Sequence, residues 1–302
     1  MAYLGVDSWR WQYFADVPCP AGLDIPVDEA SAWALFPAHR HIHNKLWICE
    51  SQSVPHAPHG VEPAKFPIFS KPIFNLRGMG TGGRIIRSKR AYWAAVTPGH
   101  MWMPLFTGPH VSTDAAVLRG EVEWWRHTTG KPASQGTFDH WTVHAEHDAV
   151  LERYLGAWIR RYLADFTGVI NFETIGGKII ECHLRMAEQW LDLNGEDWLK
   201  AVVDLYRSRR WRFADADRRT GYSVILFGPH GRQFRAPSAA RVAALRRSDP
   251  AISSIQITFE DSRPAAQHAM PPGGFRLAIV NCWDLRAGRA IRRRLAAEFA
   301  LS

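Results

Sequence analysis

The stretch Gly168-Val-Ile-Asn171-Phe-Glu173-Thr-Ile-Gly176-Gly177-Lys178-Ile-Ile-Glu181-Cys-His183-Leu-Arg185 decides how this chain folds. Two apolar, β-branched runs flank a glycine pair, the pattern of a hairpin whose turn requires positive φ. Side chains alternate along a strand, so Asn171 and Glu173 share one face of the first strand, and Glu181, His183 and Arg185 share one face of the second. A two-residue loop over Gly176 and Gly177 sets Glu173 opposite Ile180 and sends the carboxylates to opposite sides of the sheet. A three-residue loop over Gly176, Gly177 and Lys178 instead sets Glu173 opposite Glu181 and Asn171 opposite His183, with Cβ atoms about 5 Å apart. Carboxylates opposed in this way repel unless a cation lies between them. An oxygen-rich pair with Arg185 one step beyond suits Mg2+ and a polyphosphate. A hairpin with one solvated polar face and no metal is the plainer alternative.

Around this stretch the composition sets bounds. A chain of 302 residues buries a sizeable core and has room for one large domain or two to three subdomains. With 46% hydrophobic and 22% charged residues it reads as a soluble globular protein. No run of about 18 apolar residues occurs, and the start Met1-Ala-Tyr-Leu-Gly-Val-Asp7 lacks a basic segment followed by an apolar one. A cytoplasmic protein without a membrane segment is expected. Cys19, Cys49, Cys182 and Cys282 form no Cys-x-x-Cys pair, so reduced thiols are expected rather than a zinc or disulfide framework. A net charge of +8 and a pI near 9.6 point to an anionic partner: nucleotide phosphate, acidic metabolite or nucleic acid.

Residues 1–44 carry few periodic signals. Pro18, Pro20 and Pro26 interrupt them, residues 28–35 suit a short helix, and His39, His41 and His43 alternate. On a strand those histidines would project together as a transition-metal site, but without a neighbouring Cys or acidic residue ordinary surface or pocket histidines are favoured. Residues 45–52 read as an amphipathic helix, and residues 66–73 as a strand ending in Lys71. The loop Arg77-Gly78-Met-Gly80-Thr-Gly82-Gly83-Arg84 follows; its backbone amides are suited to phosphate oxygens, with a mobile surface turn as the alternative. Neither a Gly-Lys-Ser/Thr triplet nor the dinucleotide fingerprint is present. Residues 92–97 and 100–106 read as strands. Arg126, His127 and Lys131 gather cationic groups near a turn, where an Arg fork and a lysine suit the carboxylate or phosphate of a second ligand; a solvated strand end is the alternative.

Apolar residues at three-to-four spacing from Val150 to Tyr162 predict a helix over 148–166, and a second helix is expected over 196–207. From Gly221 onward a strand, a helix, two strands and a final helix form a small α+β unit. Arginines at 207, 209, 210 and 212 and at 286, 289, 292, 293 and 294 have no interleaved aromatics, which favours solvated or interdomain faces over a nucleic-acid surface.

The lysine-ended strand with its glycine loop, then a helix, then the hairpin resemble the ATP-grasp enzymes in order and spacing. The most specific likeness is to their metal-binding hairpin, where an acidic or amide residue faces a Glu-x-Asn-x-Arg motif; here the motif reads Glu181-Cys-His183-Leu-Arg185, with His183 at the Asn position. The resemblance covers about residues 45–215, and the run from Gly274 to Ala290 resembles the C-terminal region of the biotin-carboxylase-like branch. It implies an α+β chain with the ATP-grasp fold, two α+β subdomains clasping a nucleotide, plus a small C-terminal α+β unit. The units implied are a shortened N-terminal segment 1–44, subdomains 45–110 and 111–220, and the C-terminal unit 221–302. It further implies ATP, with Lys45 and Lys71 on the phosphates, Gly78, Gly80 and Gly82 in the lid, and Met101 to Met103 at the adenine edge. Glu173 and Glu181 would hold Mg2+, and Arg185 would steady the transferring phosphoryl group. His183 would either ligate through a neutral nitrogen, which brings in Mn2+, or stand aside.

The reaction implied is a ligation in which a carboxylate attacks the γ-phosphate and an amine or thiol captures the resulting acylphosphate. Partners implied are a small-molecule carboxylate and a nucleophile, with a protein substrate as a variant, no nucleic acid and no membrane; a homo-oligomer is compatible with it. The competing class is a non-catalytic nucleotide- or nucleic-acid-binding protein.

Overall fold

The structure, a computed structural model, describes residues 3–76, 80–133, 136–263, 268, 271 and 273–299. Its frame is an eight-stranded antiparallel sheet. In spatial order the strands are Lys178–His183, Gly168–Ile175, His110–Leu118, Glu121–Pro132, Phe138–Val143, Gly221–Gly228, Phe275–Cys282 and Ile252–Ile257. Residues on either side of position 220 therefore share one sheet, because Gly221–Gly228 pairs with Phe138–Val143. A four-stranded antiparallel sheet of Ala57–Pro58, His100–Pro104, Ile68–Pro72 and Arg84–Ile86 stands beside it. Such a mixture of helices with antiparallel sheets is the α+β class.

Strand alternation explains how one strand builds both a core and a site. Ile170 and Phe172 point to the face covered by helix Ala149–Tyr162, where they pack with Leu155, Trp158 and Ile159. Asp148 caps that helix by accepting from Leu151 N at 2.9 Å. Val169 lies on the other face with Ala116, under helix Trp198–Ser208 and the N-terminal residues Tyr3, Phe14, Ile25 and Val27. Further along, Asn171 and Glu173 continue this second face as polar residues, so the apolar cover ends where the site begins.

One local reading of the sequence is corrected. Residues 89–94 form a helix rather than a strand, because Ser88 accepts from Ala91 N and caps it. The alternating histidines lie on the 3-10 helix Pro37–His43 rather than on a strand, and each turns to a different partner. His43 turns inward to Glu29, His41 packs edge-on to Trp47, and His39 lies 3.7 Å from Asp165.

The hairpin combines both turn readings. Gly176 and Gly177 alone make the loop, with φ of 55° and 76°, and Ile175 pairs with Lys178. A bulge then absorbs Ile180, and the register resumes with Glu173 opposite Glu181 and Asn171 opposite His183. Lys178–His183 is the edge strand of the sheet, so its outer backbone groups need other partners. Gln52 supplies an amide mimic, its Oε1 accepting from Ile179 N at 2.8 Å and its Nε2 donating to Ile179 O at 2.9 Å. Lys71 Nζ donates to the carbonyl of the bulged Ile180 at 2.7 Å.

Candidate functional site

The lysines and the hairpin converge from separate elements. Asn44 caps helix Lys45–Glu50 through Leu46 N, and Lys45 N donates to Ile73 O at 3.1 Å, which seats the start of the helix beside the end of the Lys71 strand. Lys45 Nζ lies 3.6 Å and Lys71 Nζ 4.0 Å from the same oxygen, Glu181 Oε1. Both lysines are buried. Burial lowers the affinity of Lys71 for its proton, and Glu181 counters that only in part. Two buried ammonium groups beside one carboxylate leave an excess of positive charge suited to a phosphate chain.

Across the hairpin Glu173 Oε2 lies 3.3 Å from His110 Nε2. Burial alone would raise this carboxyl, but the hydrogen bond and charge of His110, with His183 and Arg185 beyond, bring it down to about 2. His183 Nε2 stands 3.8 Å from Glu181 Oε2 and 4.0 Å from Glu173 Oε1. That nitrogen is buried and makes no hydrogen bond among the described residues. An unbonded ring nitrogen beside two carboxylates makes a donor set that fits a divalent cation, which binds in place of a ring proton. Among the described residues no group of three or more His, Cys, Asp or Glu is already drawn together as a metal cluster. The donors stand wider than the roughly 3 Å expected between neighbouring ligands of a bound ion. Glu173 and Glu181 are both partly open to solvent, which leaves their side chains room to close.

Three residues of this region were not legible in the sequence. Glu29, in the first turn of helix Glu29–Leu35, is buried and takes His183 Nδ1 at 2.7 Å and Arg185 Nε and Nη2 at 2.8 Å each on one oxygen. His43 Nδ1 lies 3.4 Å from its other oxygen. Burial raises this carboxyl, but His183 and Arg185 outweigh it and hold it well below the usual range. His110 sits against Phe138 and Trp141. Asp114, opposite Asn171 in the sheet, accepts from Asn171 Nδ2, Ala187 N and Trp190 Nε1 at 3.1, 2.8 and 3.4 Å. No local motif marks Glu29, His110 or Asp114; only alternation along His110–Leu118 hints at the last two.

The remaining expected site residues fall as follows. Arg185 lies at the site but its guanidinium is engaged by Glu29 and the Met186 carbonyl. The clamp expected from Arg126, His127 and Lys131 is not assembled. Arg126 and His127 are neighbours on one strand and point to opposite faces. Arg126 is buried and donates to the carbonyls of Leu193 and Arg219, His127 lies between Thr113 and Glu152, and Lys131 is exposed. Met101 and Met103 are buried core residues of the small sheet, with Met101 paired to Lys71 and Pro58. The unpaired segment 105–109 that joins the two sheets follows directly. Gly80 and Gly82 adopt positive φ, and Gly78 lies outside the described residues.

Glycine is required where that segment meets the hairpin turn. Gly176 N donates to Pro109 O at 3.1 Å, and a Cβ on Gly176 would lie 2.3 Å from Thr107 O. The two sheets are thus joined through backbone contact at the rim of the site.

A hairpin bearing opposed glutamates, one buried lysine from a smaller antiparallel sheet and another from the helix beside it, and a connecting segment between the sheets define the class: the chain has the ATP-grasp fold. No family model matches the chain, and no curated protein matches it in sequence. Solved structures match it in fold. The L-amino acid ligase of Bacillus licheniformis superposes with a TM-score of 0.65 at 14% identity, over 97% of this chain and 83% of that one. The phosphoribosylamine–glycine ligase of Thermotoga maritima gives 0.61 at 13% identity, over 97% and 86%. The biotin carboxylase domain of the Hydrogenobacter thermophilus 2-oxoglutarate carboxylase, solved with MgADP and bicarbonate, gives 0.58 at 12%, over 97% and 72%. Identities this low speak to the fold alone.

Proposed function

We propose that this chain is an ATP-dependent ligase that activates a carboxylate as an acylphosphate for capture by an amine or other nucleophile. The observation that carries the reading is the convergence of Lys45, Lys71, Glu181, Glu173 and His183, linked by contacts of 3.6 to 4.0 Å. It is supported by a fold that ligases share over 97% of the chain. Glu173 and Glu181, with His183, would hold the divalent cation. When bound, such an ion offsets negative charge on phosphate oxygens. Lys45 and Lys71 would bind and orient the phosphate chain, their ammonium groups already desolvated and so more effective than in water. Segment 105–109, free of sheet pairing, would present backbone groups to the base. The region around Gly80 and Gly82 would exclude water, which otherwise hydrolyses an acylphosphate.

A second reading, a nucleotide-binding protein without turnover, has one observation in its favour: Glu29 holds Arg185 through two bonds of 2.8 Å. The nucleic-acid reading has less support, since several arginines of the last helix are engaged internally. Arg289 and Arg292 hold Asp139, and Arg294 donates to Ser248.

Thermal unfolding with nucleotide tests the proposal. MgATP or MnATP at a hundred times its dissociation constant stabilises the wild type by about 2.7 kcal/mol. Glu181→Gln is expected to lose most of that shift, and a short oligonucleotide to give none. Release of ADP on addition of an amino acid or dicarboxylate separates ligase from non-catalytic binder; nucleotide binding with a silent substrate panel favours the second reading.

A further inference from the structure

His183 stands where an oxygen ligand would complete a purely hard set, and Glu29 dictates how its ring is presented. A carboxylate oxygen only accepts, so the 2.7 Å contact with Glu29 Oε1 puts the hydrogen on Nδ1. Nε2 is then the ring nitrogen left to a ligand: it is buried, makes no hydrogen bond among the described residues, and faces the oxygens of Glu181 and Glu173 at 3.8 and 4.0 Å, and a cation bound there displaces any proton it carries. His43 makes a contrast: it also turns its Nδ1 to Glu29, but its ring lies against Trp33, with centroids 5.5 Å apart, and not against the hairpin carboxylates. Glu29 itself cannot swing away cheaply, because Arg185 anchors the same oxygen and the residue is 4% exposed. The arrangement is that of a carboxylate holding an imidazole for a metal, where the outer partner fixes tautomer and ring orientation.

We propose that Glu29 is a positioning residue that commits His183 Nε2 as a nitrogen ligand, so that the cation site between Glu173 and Glu181 takes Mn2+ in preference to Mg2+. The inference rests on the nucleotide-clasp reading above. Its chemistry is simple: Mg2+ prefers oxygen and pays to exchange water for nitrogen, whereas Mn2+ accepts an imidazole beside carboxylates. The assignment brings the N-terminal segment into the site, although no motif there signals it.

The test is electron paramagnetic resonance of MnCl2 bound to the full chain, with and without ADP, alongside calorimetric titration with MnCl2 and MgCl2. Pulsed spectra of the wild type are expected to carry a nitrogen-14 coupling from a directly bound imidazole. His183→Asn, which returns an amide oxygen to the position, loses the coupling and lowers the ratio of Mn2+ to Mg2+ affinity at least tenfold while retaining Mg2+ binding, which shows that it is folded. Glu29→Gln, away from the metal, no longer enforces the tautomer and weakens Mn2+ binding on the order of tenfold. Manganese bound in an ADP-dependent way without nitrogen coupling overturns this inference and leaves the nucleotide clasp standing. Failure of the wild type to bind either ion or nucleotide overturns both.

Discussion

Two buried carboxyls, Glu29 and Asp114, are shifted in opposite directions, and the difference lies in what surrounds each. Glu29 is buried among cations and stays ionised. Asp114 is bonded only by neutral donors, Asn171, Ala187 N and Trp190, and burial pushes it up to about 6 despite those bonds and the charge of Arg185. A carboxyl raised in the folded state contributes stability that is fully present below its unfolded value near 3.8 and is lost as pH rises through about 6. Asp114→Asn removes the titration and keeps an acceptor oxygen. The unfolding free energy of the variant relative to wild type is therefore expected to improve by about 2–3 kcal/mol between pH 4 and pH 7. Urea unfolding of both proteins across that range checks it, and a constant difference would rule the assignment out.

At the scale of the element, the hairpin works because its turn and its register are set by different residues. The glycine pair takes positive φ, and the bulge at Ile180 restores the pairing that faces Glu173 to Glu181. The two glycines have similar backbone angles but different surroundings. A Cβ at Gly177 meets nothing within 4 Å, whereas one at Gly176 runs into Thr107 O. Gly177→Ala is expected to cost about 1 kcal/mol for the left-handed conformation alone. Gly176→Ala is expected to cost about 2–3 kcal/mol, because the backbone joining the two sheets must shift as well. Urea midpoints of the two variants decide the point; equal costs would mean that the contact between turn and connecting segment contributes nothing.

Across the whole molecule, ion pairs at the site join parts of the chain far apart in sequence. Glu29 ties the N-terminal segment to His183 and Arg185, and Glu173 ties the hairpin to His110 at the end of the connecting segment. Both carboxyls are depressed, so the stability they confer is present above the unfolded value of 4.5 and is lost as pH falls, toward about 2 for Glu173. Acid is thus expected to loosen the clasp from the site outward. Glu173→Gln should unfold with a flatter dependence between pH 4.5 and 2 than wild type, read by tryptophan fluorescence; parallel curves would remove Glu173 from the account.

Features that repeat locally are legible in the sequence. Period-two alternation in 168–185 specified which polar side chains share a face, the glycine pair specified a turn, and three-to-four spacing specified the helix that backs the sheet. The same alternation already separates Arg126 from His127, so the clamp expected from them asked more of one strand than a pleat allows. Tertiary structure alone decided that Glu29 reaches His183, that His110 and Asp114 complete the polar face, and that Arg185 is already paired. The reason is physical: a buried charge is tolerated only where partners from distant segments surround it, and no local pattern of residues encodes which distant segment will supply them.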